Sequence, residues 1–171
     1  LLIDPWDLRI VSSGGTSALN SSVADGTIAY SDYSFLGVPL NGSVRESFLE
    51  NFNGNLTIQA WNDVLFELND NELNLSKINS GETFKVEAGR HIQLNNDSVV
   101  TAGGNINLAA DTKLIPLGGD VNLGTGAGLK SNGGNISLSG NNINLTAAVD
   151  AGAGNVNIEL FATSFGVDVN P

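Results

Sequence analysis

Residues 103–138 read GGNINLAADTKLIPLGGDVNLGTGAGLKSNGGNISL, and a phrase of the form Gly-Gly-Asn/Asp-Ile/Val-x-Leu occurs in them three times. A looser version extends in both directions. Gly54, Gly81, Gly104, Gly119, Gly134 and Gly154 are each followed by two apolar residues one position apart: Leu56/Ile58, Phe84/Val86, Ile106/Leu108, Val121/Leu123, Ile136/Leu138 and Val156/Ile158. Alternation of this kind suits a strand that buries one face. A spacing averaging about 20 residues is the length of a solenoid coil, not of a helical repeat. A second column agrees, since Val99, Leu114, Leu129 and Val149 each stand five positions before a repeat glycine, and Gly103, Gly118, Gly133 and Ala153 stand immediately before it. The shortest intervals, Gly104 to Gly119 and Gly119 to Gly134, predict two coils that shorten or lose their middle side, narrowing the cross-section there.

The rest of the composition fits this reading. The chain has 171 residues, 41% of them apolar, enough for one domain with a sizeable core. With 21 glycines, many asparagines and only 15% charged residues, it favours turns and strands over helices. A formal charge of −11 with seven basic residues argues against a nucleic-acid or anionic-membrane partner. No apolar run approaches the roughly 18 to 20 residues that would cross a bilayer, so membrane insertion is not expected. The absence of cysteine excludes a disulfide framework and any thiolate metal site. The chain opens on leucine without a charged-then-apolar leader, which suggests a processed product or an excised piece.

Residues 1–11 predict a strand around Leu8 and Ile10 after a bend at Asp4-Pro5. Residues 12–42 read as an irregular excursion with one or two short strands. Residues 43–52 predict the one helix, with Ser43 and Glu46 at capping-box spacing and Phe48, Leu49 and Phe52 on one face. Placed before the first coil, it suits a cap over the exposed end of a solenoid better than a partner-binding helix. The expected division is therefore 1–53 for strand, excursion and capping helix, and 54–171 for the coils, within one structural domain. Second strands are expected at Val64 to Phe66, Ile92 to Leu94 and Ile143 to Leu145, and a last one at Phe165, Val167 and Val169.

Chemical sites are sparse. Asn55, Asn105, Asp120, Asn135 and Asn155 follow their glycines directly and suit a ladder of turn residues bonding local backbone. Calcium at these corners is disfavoured, because the column holds one acid and the nonapeptide calcium pattern is absent. His91, beside Arg90 and near Glu87, suggests acid–base chemistry, but no second histidine, cysteine or phosphate loop joins it. Asp4/Asp7 and Asp70/Glu72 are acid pairs of the type used in glycoside hydrolysis, although solvated turn acids are far commoner. Trp6, Tyr30, Tyr33 and Trp61 are the candidates for stacking on sugars, with core or cap packing as the expected role. The seven Asn-x-Ser/Thr triplets recur because the repeat is polar-apolar-polar. No catalytic, cofactor or metal residues are assigned, and no enzymatic activity is expected.

The opening LLIDPWDLRI resembles the "LLLDP…I.I" segment of large filamentous haemagglutinin-like exoproteins, the two-partner-secretion family. SFLENFNGNLTIQAWNDVLF, within 44–66, resembles the helix and glycine-led coil that follow in that family, and GGNINLAAD at 103–111 its generic coil. The resemblance covers roughly 1–11 and 43–160, leaving 12–42 unmatched. It implies a right-handed parallel β-helix, and a secreted Gram-negative or cyanobacterial surface protein acting in adhesion or extracellular structure. The family's amino-terminal secretion domain and any distinct effector are not in this sequence, so transport, receptor and toxin activity are left open.

Together these readings predict an all-β solenoid that works as an adhesin shaft or as a subunit of an extracellular, biofilm-type filament. Its assembly would run head to tail through coil ends or terminal strands, with Leu8, Ile10, Val167 and Val169 as candidates. A carbohydrate-binding or carbohydrate-active β-helix, with surface glycans as partners, is the alternative. An ice-binding face ranks last, because Thr57, Thr83, Thr101 and Thr146 share no repeat position.

Overall fold

In a computed structural model the chain is described at residues 5–14, 27–28, 34–35, 38–68, 72–112 and 118–161. The elements before the repeats are β1 (Pro5–Val11), β2 (Thr27–Ile28), β3 (Ser34–Phe35), β4 (Val38–Arg45) and α1 (Glu46–Asn51). The repeats supply β5 (Leu56–Ala60), β6 (Val64–Glu67), β7 (Glu72–Leu75), β8 (Thr83–Ala88), β9 (Ile92–Leu94), β10 (Val99–Ala102), β11 (Asn105–Ala109), β12 (Asp120–Leu123), β13 (Gly128–Lys130), β14 (Ile136–Gly140), β15 (Asn142–Leu145), β16 (Ala148–Asp150) and β17 (Val156–Leu160). The protein is mostly β, and these strands make three parallel sheets. The first has the order β15-β12-β9-β6-β1-β4-β3, the second β17-β14-β11-β8-β5-β2, and the third β16-β13-β10-β7. The β3–β4 pair is antiparallel.

From β5 onward the chain visits the second, first and third sheets in strict rotation. Each turn pairs with the one before it, at offsets of 28, 22, 30 and 20 residues on the second sheet. Five of the six glycine-led pairs form one column there: Leu56, Phe84, Ile106, Ile136 and Val156 are successive partners, as are Ile58, Val86, Leu108, Leu138 and Ile158. The sixth does not belong to it. Val121 and Leu123 pair with Ile92 and Leu94 on one side and with Ile143 and Leu145 on the other, in the first sheet. The two short coils expected at Gly119 are therefore one long turn carrying all three strands, and no side is lost. Gly119 repeats the corner, not the coil.

The second column is also shifted. Val100, not Val99, pairs with Leu73 and Leu129, and Leu129 pairs with Val149. Val99 is half-buried while Val100 is fully buried, as a one-residue change of register requires. Leu114 lies outside the described residues.

The inward residues of all three sheets form one apolar cluster from Leu8 to Ala151, with Phe66 and Phe84 edge to face at 6.5 Å. Each buried Val, Leu or Ile contributes about 1.5 to 3 kcal/mol by area removed from water. The glycine corners owe their composition to close approach. A Cβ on Gly134 would lie 2.5 Å from the carbonyl carbon of Gly104 in the preceding turn, and one on Gly154 would lie as close to Gly134. Gly134→Ala is therefore expected to cost about 1 to 3 kcal/mol, read by chemical denaturation, because the backbone must move to admit the methyl.

The two ends differ. At the N-terminal end β2 lies beyond β5, β4 and β3 lie beyond β1, and α1 packs against β7. The Glu50 carboxylate accepts a hydrogen bond from the Asn74 backbone N–H on the outer edge of β7, at 2.9 Å, and Lys77 donates to Asn51 at 2.9 Å. An edge donor that no strand pairs is thus satisfied by the helix. The helix is shorter than expected and its capping box does not form. Ser43 lies inside β4, Arg45 precedes the helix without a side-chain cap, and buried Glu46 accepts from Ser12 Oγ at 3.0 Å. Leu49 is buried, Phe52 half-buried, and Phe48 exposed beneath the Arg45 guanidinium. The strand preference of 38–45 overrides the local helix signal once β4 can pair with β1.

That pairing removes Leu8 and Ile10 from the candidates for self-association. β1 is paired on both edges, with β4 and β6, and both side chains are fully buried. Val167 and Val169 lie outside the described residues. At the C-terminal end β15, β16 and β17 are the last strands of their sheets, and Leu145, Val156, Ile158 and Leu160 are exposed by 38 to 60%.

Candidate functional site

The polar residues gather on the outer side of the first sheet. One position before each of its inward residues Leu8, Val64, Ile92, Val121 and Ile143 stands Asp7, Asp63, His91, Asp120 or Asn142. These five bond from turn to turn. Asp7 accepts from the Asp63 backbone N–H at 3.3 Å and from Asn62 Nδ2 at 2.7 Å. Asp63 accepts from the His91 N–H at 3.0 Å, and His91 Nδ1 accepts from the Asp120 N–H at 3.0 Å. Asp120 accepts from Asn142 Nδ2 at 2.8 Å. His91 thus stands in a carboxylate's place, accepting a backbone N–H of the next turn. The second sheet repeats the device at its own corner. Asn55, Asn105 and Asn135 accept the backbone N–H of Thr83, Asn135 and Asn155 respectively, each at 2.9 Å. The asparagines expected to bond local turns therefore stitch successive turns together, while Asp120 belongs to the other ladder.

Arg90 holds Asp63 with two hydrogen bonds, Nε to Oδ1 at 2.9 Å and Nη2 to Oδ2 at 2.5 Å. Burial pushes the Asp63 carboxyl up. The Arg90 and His91 N–H hydrogen bonds and the charge of Arg90 outweigh that burial and hold it below its ordinary 3.8. The Arg90 guanidinium is raised above its ordinary value, chiefly by the bond to Asp63.

The structure separates His91 from Glu87. Glu87 lies on the second sheet, where it accepts from Gln59 at 2.6 Å and pairs with Lys85 at 2.6 Å. Of the acid pairs, Asp4 and Asp70 lie outside the described residues, and so do Tyr30 and Tyr33. Trp6 and Trp61 are exposed beside the ladder, where the Trp6 carbonyl accepts from the Asn62 N–H at 2.7 Å; they are not packed in the core or under the cap. Among the described residues no three His, Asp or Glu side chains gather as metal ligands, and no helix is long and apolar enough to cross a membrane.

Next to the ladder, the C-terminal ends of β9, β12 and β15 frame a groove of about 570 Å³. Its side chains are amides: Gln93, Asn95, Asn96, Asn122 and Asn144. Gln93 is the register partner of Asn122, and Asn122 of Asn144. Asn144 Nδ2 donates to Asn122 Oδ1 at 2.6 Å, Gln93 Nε2 to Asn95 Oδ1 at 3.2 Å, and the Thr125 N–H to Asn96 Oδ1 at 3.1 Å. Leu94 and Leu123 are buried in the core beneath the groove. This site escapes a reading of the sequence because β12 had to be placed on the first sheet before its asparagine could fall between Gln93 and Asn144. Comparison of the chain with protein-family models, with curated proteins and with solved structures finds no match.

Proposed function

We propose that the chain is a segment of a secreted, right-handed parallel β-helix of the filamentous haemagglutinin-like kind. In this reading it is a structural and adhesive shaft, or the subunit of an extracellular filament, and not an enzyme. The observation that carries the reading is the asymmetry of the ends. One is covered by α1 and the strands β2 to β4, while at the other, among the described residues, β15, β16 and β17 are the last strands of their sheets, with exposed Leu145, Val156, Ile158 and Leu160. An end of this kind accepts a further turn, whether from the same polypeptide or a second copy, and contact between non-identical ends propagates as an open filament. The side-chain ladders support the reading, because their groups bond the next turn and leave no nucleophile beside a base. A carbohydrate-binding module is the second reading, favoured by exposed Trp6 and Trp61 and by the amide groove.

Negative-stain electron microscopy of the chain across a concentration series tests the first reading. Long uniform filaments are expected, and Leu160→Lys should abolish them while changing stability by less than about 0.5 kcal/mol, as an exposed substitution does. Dispersed particles at every concentration would remove the filament and leave the shaft.

A further inference from the structure

We propose that the amide groove on the first sheet binds an uncharged oligosaccharide lying along the stack, across Gln93, Asn122 and Asn144. This rests on the carbohydrate-binding reading and deepens it by naming the ligand class and the residues. It is independent of the shaft reading, since such a groove would act equally in a chain that never forms filaments.

The chemistry of the lining selects the ligand. Five carboxamides face the groove and no charged side chain does, so it offers paired donors and acceptors without a net field. After the bonds within the groove are made, Asn122 keeps both N–H donors, Asn144 keeps its Oδ1 and one N–H, and Gln93 keeps its Oε1 and one N–H. Neighbouring hydroxyls on a sugar ring are matched to such donor–acceptor pairs. An apolar ligand finds little side-chain surface to bury here, because Leu94 and Leu123 are buried and the other lining side chains are amides. An anionic ligand meets a chain of formal charge −11 and no cation in the lining. An extended peptide adding as a strand would pair along the outer edge of β15, parallel to the strands, and would not cross Gln93 and Asn122, because β9 and β12 are paired on both sides.

The geometry agrees. Successive strands step by about 4.8 Å, close to the length of one sugar unit in an extended chain, so three stacked turns present equivalent amides to consecutive units. The volume lies within the range of small-ligand clefts, about 300 to 1,000 Å³. Gly124 lets the corner approach the preceding turn, since a Cβ there would lie 2.6 Å from Asn96 Oδ1 and displace the side chain that accepts the Thr125 N–H.

The test is NMR titration of the isotope-labelled full chain with cello-, malto-, manno- and chito-hexaoses, a sulfated hexaose and an asparagine-rich peptide. At least one neutral hexaose is expected to give saturable shifts of the Gln93, Asn122 and Asn144 side-chain amides. The Gln93→Ala/Asn144→Ala double variant should weaken that binding at least about tenfold. Both positions are exposed, and an unchanged thermal midpoint would separate lost binding from lost fold. Should the double variant melt early, the single Gln93→Ala variant, at an exposed position, is read in its place. Absence of saturable shifts with every neutral hexaose would overturn the inference. So would undiminished binding in the variants, shifts centred on Trp6 and Trp61, or tighter binding of the sulfated sugar or the peptide. Filament formation is scored separately by microscopy, so either reading can fail alone.

Discussion

Ile136→Asp is expected to unfold the C-terminal turns, whereas Ser137→Asp, one residue along, leaves stability nearly unchanged. Ile136 is fully buried between Ile106 and Val156 in the second-sheet column. A carboxylate there meets only apolar neighbours, so it loses the burial energy of isoleucine and faces the cost of desolvating a charge or taking up a proton. The combined cost is about 4 kcal/mol or more, a drop of roughly 8 to 16 °C in thermal midpoint for a chain of this size. Ser137 is half-buried on the outward side, between Asn107 and Asn157, where a carboxylate stays solvated. Because stacked turns depend mostly on their nearest neighbours, hydrogen exchange in Ile136→Asp should accelerate first in β14 to β17 and leave β5 and β8 protected. Equal midpoints for the two variants would contradict the assignment of faces.

Asp63→Ala is the second large effect, and it carries a pH signature. The substitution removes the acceptor for Arg90 and for the His91 N–H, leaving a partly buried guanidinium and a corner N–H without that partner. A loss of about 2 to 4 kcal/mol at pH 7 follows. The sign of the pH dependence comes from the direction of the Asp63 shift. Its folded carboxyl lies below the ordinary 3.8, so the unfolded chain binds the proton first as pH falls. The stabilisation from Asp63 is therefore fully present above about pH 4 to 5 and disappears as pH drops through the folded value. Arg90, raised above its ordinary value by the bond to Asp63, loses its contribution only in strongly alkaline solution, as pH climbs through its folded value. Denaturation at pH 7 and pH 3 should show a gap between wild type and Asp63→Ala that narrows markedly at the lower pH. A gap of the same size at both would mean that the Asp63 charge contributes nothing. Asp63→Asn, which keeps an oxygen for the His91 N–H, should fall between the two at pH 7.

Much of the architecture was legible without coordinates. Apolar alternation at Ile106/Leu108, Ile136/Leu138 and their equivalents determined which side of each strand is buried, because side chains alternate faces in any strand. Paired glycines determined where the chain turns. What alternation does not carry is which sheet a strand joins. Val121/Leu123 has the same pattern as Ile136/Leu138, yet lies on the first sheet, because that depends on how many residues each corner consumes. Val99 and Val100 are equally apolar, and only the stacking on Leu73 and Leu129 chooses Val100 for the core.

The ladders and the groove are later still in that order of decision. Nothing local distinguishes an asparagine that closes its own turn from one that accepts the N–H of Asn135 30 residues away. Ser43 and Glu46 have the spacing of a capping box, but the pairing of β4 with β1 takes Ser43 into a strand. By itself the sequence determined the alternation, the buried face and the corners, since these are properties of single strands and turns. The spacing of about 20 residues lengthens to turns of 20 to 30 once Gly119 leaves the column. Only the tertiary structure decided the sheet membership, the covered and open ends, and the meeting of Gln93, Asn122 and Asn144, because each depends on pairing between residues a full turn apart.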